Sequence, residues 1–116
     1  MFIATERNGS NLLVAIEGEL DLETSAEFRT TVEEKLNQYE SINHLILDLK
    51  NVNFIDSSGL GVILGRFKRL SQIGGRVSAV NVSTQIRRIF ELSGLLKIIG
   101  IYRDREQALD SGGRVS

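Results

Sequence analysis

The sequence predicts a small α/β domain, a mostly parallel mixed sheet with helices packed on it, in the order ββαβαβαβα. Three observations predict it. Two short apolar segments flank Asn8-Gly9-Ser10-Asn11, as in an antiparallel hairpin. Beyond them, β-type apolar runs alternate with helical periodicities, the pattern of a parallel sheet built by crossovers. The 116 residues contain no linker, repeat or low-complexity stretch, so the elements share one core, enough to bury roughly 65% of the unfolded surface.

Taken in order, Phe2 to Arg7 reads as a first strand and Leu12 to Glu17 as a second, which Gly18-Glu19-Leu20-Asp21 ends. Thr24 or Asp21 caps a helix running to about Tyr39, with Ala26, Phe28, Val32 and Leu36 as its apolar positions. His44 to Leu49 is a third strand, and Val52 and Phe54 continue its apolar pattern. Asp56 then stands where a helix N-cap is wanted and Ser57 opens a helix that stops near Ile73, where Gly74-Gly75 tolerates positive φ. Arg76 to Val80 is a strand. Ser83 or Thr84 caps the next helix, which reaches about Ser93 with Ile86, Ile89, Phe90 and Leu92 on its core side, and Gly94 ends it. Leu96 to Tyr102 closes the sheet and Asp104 to Leu109 forms a last helix, so the domain is expected over residues 1–110 with a loose tail at 111–116.

The helix from Ser57 is the unusual element. Its periodicity sets Leu60, Ile63, Leu64, Phe67 and Leu70 toward the sheet and leaves Ser58, Gly61, Val62, Gly65 and Arg69 opposite, with Ser57 at the edge. Each exposed helical glycine costs about 1 kcal/mol relative to alanine. Either the glycines permit tight packing, or they make a flat surface on which another protein's backbone can dock beside two hydroxyl groups.

Composition excludes several chemistries. Fourteen basic against 15 acidic residues, with no basic cluster, argue against nucleic acid as the main partner. Without cysteine and with His44 as the single histidine, neither a disulfide, a thiolate site nor a histidine-rich metal site is available. No apolar run approaches the ~20 residues of a membrane span, and a cytoplasmic protein is expected.

An esterase reading of Ser57 or Ser58 fails, because Ile55 and Leu60 stand where the nucleophile elbow needs glycine and His44 is expected at the opposite end of the sheet. Gly59, Gly61 and Gly65 match neither glycine-rich phosphate motif. Asp48, near a strand's end in an alternating α/β chain, resembles the phosphoacceptor of a two-component receiver, but Glu6-Arg7-Asn8 supplies no acidic pair after the first strand. A hydroxyl at a helix start can instead accept a phosphoryl group from another enzyme. Free N–H groups and the positive helix end can hold it, and its charge of about −1.5 to −2 transforms the surface without unfolding the domain.

The segment Phe54-Ile55-Asp56-Ser57-Ser58-Gly59-Leu60-Gly61-Val62-Ile63-Leu64-Gly65-Arg66 resembles the signature of bacterial anti-sigma factor antagonists of the STAS-domain family, and within it the stage II sporulation protein AA type. Gly18-Glu19-Leu20-Asp21, Gln72-Ile73-Gly74-Gly75 and the run from Arg88 to Ile99 fall in the family's order and spacing. The resemblance implies a STAS fold and a binding protein rather than an enzyme, with no cofactor. It implies that an anti-sigma factor with serine-kinase activity binds the chain, releases its sigma factor and phosphorylates the serine after the motif's aspartate, here Ser57. It further implies that a serine/threonine phosphatase of the metal-dependent class restores that serine. Asp21 and Asp56, with Ser58, Gly61, Val62, Gly65 and Arg69, are then the expected partner contacts. A receiver-like phosphoacceptor at Asp48 and a non-switching STAS scaffold are the alternatives.

Overall fold

The computed structural model describes residues 1–113. Five strands form one sheet in the order β1-β2-β3-β4-β5, with β1 (Phe2–Asn8) antiparallel to β2 (Asn11–Leu20) and the other pairs parallel: β3 (His44–Ile55), β4 (Arg76–Val80) and β5 (Gly100–Tyr102). The helices are α1 (Ser25–Gln38), α2 (Ser57–Ser71), α3 (Thr84–Ser93) and α4 (Arg105–Gly113). The predicted order of elements is therefore observed. The hairpin closes through Gly9 and Ser10, and Gly9 takes the positive φ of 62° that the tight turn requires.

Successive crossovers of one hand place α1, α2 and α3 on the same side of a sheet ordered this way. Their Phe28, Val32, Ile63, Leu70, Ile86 and Phe90 bury one sheet face, with Leu12, Val14, Leu45, Leu47 and Val77. Among the described residues only α4 covers the other face, where Ala108 meets Leu13, Ile46 and Val80. Residues of β3 such as Leu45, Ile46 and Leu47 are therefore buried on both sides, which explains their unbroken apolar run.

Five expectations of strand extent and helix face need correction. β2 continues through Gly18 to Leu20, because register shifts between Ala15 and Glu17 and between Gly18 and Glu19 absorb a bend that the sequence presents as an end. β3 likewise runs on to Ile55, yet only His44–Asp48 pair with β4, so the later part of β3 extends beyond β4 as a partner of β2 alone. Phe54 is exposed there, and its neighbour Ile55 turns inward. The expected strand from Leu96 is instead a 3-10 turn over Leu95–Lys97 followed by the short β5, with Leu95 and Ile99 buried at helical rather than alternating spacing.

The other two corrections concern helix faces. Ser25 rather than Ala26 is buried at the start of α1, since the Ser25 hydroxyl donates to the Asp21 carbonyl, and Leu92 of α3 is exposed. Ser83 caps α3 and Gly94 ends it at φ 83°, as the sequence indicates. Residues 111–113, expected as tail, continue α4, and 114–116 lie outside the described residues.

Candidate functional site

The extension of β2 and β3 beyond β4 carries the start of α1 and the start of α2 to one end of the domain. Asp56 joins them. Its Oδ1 accepts the backbone N–H groups of Ser58 (2.8 Å) and Gly59 (3.0 Å), which is the N-cap the sequence predicts. Its Oδ2 accepts the N–H of Leu22 (3.1 Å), thirty-four residues earlier, and its own N–H donates to the Leu20 carbonyl (3.2 Å).

Gly59 completes the joint. A Cβ there would stand 2.3 Å from the Leu20 carbonyl oxygen and 2.9 Å from Ile55 Cγ2, so no other residue fits unless the backbones move apart. Gly61 and Gly65 differ: a Cβ on either meets nothing within 4 Å. The open face is real, and its glycines are not packing glycines.

The face is nevertheless centred differently from the sequence expectation. The buried line of α2 is Gly59, Ile63, Arg66 and Leu70. Val62, expected outward, packs against the main core, whereas Leu64, expected inward, is absent from it and only partly buried. Arg69 turns to α1, where Nη1 lies 2.6 Å from Glu33 Oε1 and Nη2 donates to Asn37 Oδ1 at 2.8 Å. The outward strip of α2 beside Ser57 is thus Gly61, Leu64, Gly65 and Lys68, while Ser58 is half-buried, Val62 packs on the core and Arg69 joins the seam with α1.

The shift has a cause in that seam. Arg66 is buried, with Nε 3.0 Å from Glu33 Oε2, close enough for an ion pair but misaligned for a hydrogen bond, and its Nη1 is buried without a partner. Burial lowers the guanidinium's pKa, opposed by Glu33 and assisted by the positive charges of Arg29 and Arg69. The sequence signal for Arg66 was its spacing between Ile63 and Leu70; its charge argued the other way.

Ser57 is exposed as the first residue of α2. The N–H groups of Ser58 and Gly59 are already taken by Asp56, so a phosphate on Ser57 would gain the positive helix end rather than those two donors. Asp21 does not cap α1 from the N-cap position, which Thr24 holds. Its Oδ1 instead accepts the N–H groups of Glu23 (3.0 Å) and Thr24 (3.1 Å), making a tight turn into the helix. Desolvation raises the Asp21 pKa, but the bonds from Thr24 and Glu23 outweigh it and hold the carboxyl below its usual value.

The other candidate acids and bases lie elsewhere. Asp48 Oδ1 accepts from Asn81 Nδ2 (3.1 Å) and Lys50 N–H (3.2 Å), and Oδ2 from Arg105 Nε (2.8 Å). These bonds outweigh the desolvation that raises its pKa and keep Asp48 ionised as a latch between β3, α3's approach and α4. Among the described residues no three His, Cys, Asp or Glu side chains gather as a metal site would require. Asp48 is thus placed as a structural carboxylate. His44 lies at the start of β3, as expected, and is engaged with a serine the sequence reading did not single out: Nε2 is 2.7 Å from Ser78 Oγ and Nδ1 is 2.8 Å from Asn11 Oδ1. Ser78 is fully buried, so this chain of hydrogen bonds reaches no substrate.

The STAS domain family matches residues 2–108. An anti-sigma F factor antagonist from Paenibacillus polymyxa is 42% identical over 92% of this chain and 91% of its own length. A putative anti-sigma factor antagonist from Thermotoga maritima has a similar structure, with a TM-score of 0.89 and 27% identity over 97% of this chain and 95% of that one. The Bacillus cell fate determinant SpoIIAA in its phosphorylated form superposes with a TM-score of 0.75 and 27% identity, covering 96% and 99% of the two chains. No described helix is long and apolar enough to cross a membrane.

Proposed function

The chain belongs to the STAS domain family, and on that footing we propose that it is an anti-sigma factor antagonist switched by phosphorylation of Ser57. Unphosphorylated, it binds an anti-sigma factor that is also a serine kinase, and that factor releases its sigma factor. The kinase then transfers the γ-phosphoryl group of ATP to Ser57 Oγ: the hydroxyl proton passes to a base on the kinase, the new O–P bond forms, and ADP leaves. A metal-dependent serine/threonine phosphatase hydrolyses the ester and restores the binding form. The name of the Paenibacillus polymyxa relative favours the anti-sigma F factor as the target.

The observation that carries this reading is the exposed Ser57 at the edge of the glycine face, where Gly61 and Gly65 leave open space. A partner backbone can lie on that face only while Ser57 is small and neutral. A phosphate adds about −1.5 to −2 charge at the rim and obstructs the approach, while the domain itself keeps its core. The phosphorylated SpoIIAA structure, similar over nearly the whole chain, agrees with a modification that leaves such a fold standing. The catalytic base must come from the partner, since His44 is committed to Ser78 and Asn11. Incubation with the Paenibacillus polymyxa anti-sigma F factor and ATP, followed by fragmentation mass spectrometry, tests the proposal. Phosphate on Ser57 and loss of the complex are expected; phosphate on Ser58, or a complex unaffected by modification, would refute the switch.

A further inference from the structure

The glycine face admits a partner but offers few side chains to hold it, so affinity must come from its border. Leu22, in the loop between β2 and α1, is 77% exposed. One exposed leucine needs no explanation, and Leu92 is equally exposed on α3. Leu22 is distinguished by its backbone, which is fixed from both sides. Its N–H donates to Asp56 Oδ2 at 3.1 Å, and the next two N–H groups donate to Asp21 Oδ1 at 3.0 and 3.1 Å. The same Asp56 carboxylate caps the helix that begins with Ser57, so Leu22 and Ser57 are held by one side chain at a set spacing.

We propose that Leu22 is the apolar anchor with which this surface seats on its anti-sigma factor, and that the receiving site is an apolar pocket rimmed by basic side chains. The inference rests on the antagonist reading and assigns the contact that reading lacks. A leucine on a fixed loop loses little conformational entropy on docking, and an apolar centre inside a polar rim is the usual anatomy of an interface. Asp21 and Glu23 flank Leu22, which sets the sign of the rim.

Calorimetric titration of the unphosphorylated chain against the Paenibacillus polymyxa anti-sigma F factor, without ATP, tests the anchor. Leu22→Asp should weaken binding at least about a hundredfold and Leu22→Ala about thirtyfold, with Leu22→Met close to wild type. Leu92→Asp, equally exposed but away from this loop, should bind as wild type does. Thermal melts of the three Leu22 variants should match wild type, since Leu22 adds nothing to the core. Wild-type binding with undiminished Leu22→Asp binding overturns the anchor alone, whereas failure of the wild-type chain to bind overturns the antagonist reading and the anchor together.

Discussion

Two serines at opposite ends of the sheet show how differently one side chain can be used. Ser78 has what a nucleophile needs in hydrogen bonding: His44 Nε2 at 2.7 Å, with Asn11 orienting the ring from the far side at 2.8 Å. It is fully buried, so the arrangement serves only to satisfy polar groups inside the sheet. Ser57 has no such base, yet it is exposed at a helix start beside an open face. In the proposed switch the partner brings the base, so Ser57 needs only access and a docking surface, whereas the hydrogen-bonded Ser78 without access is structural.

The largest expected effect tests how far the tolerance of the Ser57 end extends. Gly59→Ala, on the buried side of the same helix as the open glycines, should cost about 3 kcal/mol or more by forcing α2 away from the Leu20 carbonyl. A denaturant titration showing under 1 kcal/mol would mean that the joint between β2 and α2 is loose.

At the other end, burial chiefly, with the nearby Arg76 charge, lowers the His44 pKa from 6.5 to about 4. Between those values the unfolded chain binds more protons than the folded one. The stability contributed by neutral His44 is therefore complete above about pH 6.5 and declines toward pH 4, by up to about 3 kcal/mol. Asp48, whose pKa is also lowered, adds its loss only as pH falls through its own folded value. Stability measured from pH 7 to pH 4 should fall more steeply in wild type than in His44→Gln; equal slopes would place the His44 titration elsewhere.

Ser78→Ala removes a hydroxyl from His44 and should cost about 1–2 kcal/mol in chemical denaturation at pH 7. Gly61→Ala should instead gain up to about 1 kcal/mol, since its methyl meets open space. Smallest of all, Ser57→Ala should shift stability by no more than about 0.5 kcal/mol, because Asp56 supplies the cap. A Ser57→Ala protein as destabilised as Ser78→Ala would erase the distinction between the two serines.

Much of the Ser57 end was legible in the sequence because its signals are local. An apolar strand followed by Asp56 and Ser57 specifies a cap and a helix start through neighbours one to three residues away, and Gly74 and Gly94 mark helix ends for the same reason. The order of elements also follows from periodicity, which needs no knowledge of what lies opposite. The length of β2 and β3 was not legible, since Glu19, Lys50, Asn51 and Asn53 interrupt the apolar run beyond the end of β4.

The sequence by itself therefore determined the α/β order, the Asp56 cap and the two glycines placed outward on α2. Tertiary structure alone decided the rotation of that helix, with Arg66 inside because Glu33 of α1 lies across from it and Leu64 left toward solvent. It also decided that Gly59 is indispensable, through a carbonyl from Leu20, and that His44 serves Ser78. Local patterns are written by residues close in the chain, whereas these three facts depend on atoms that only folding brings within a few ångströms.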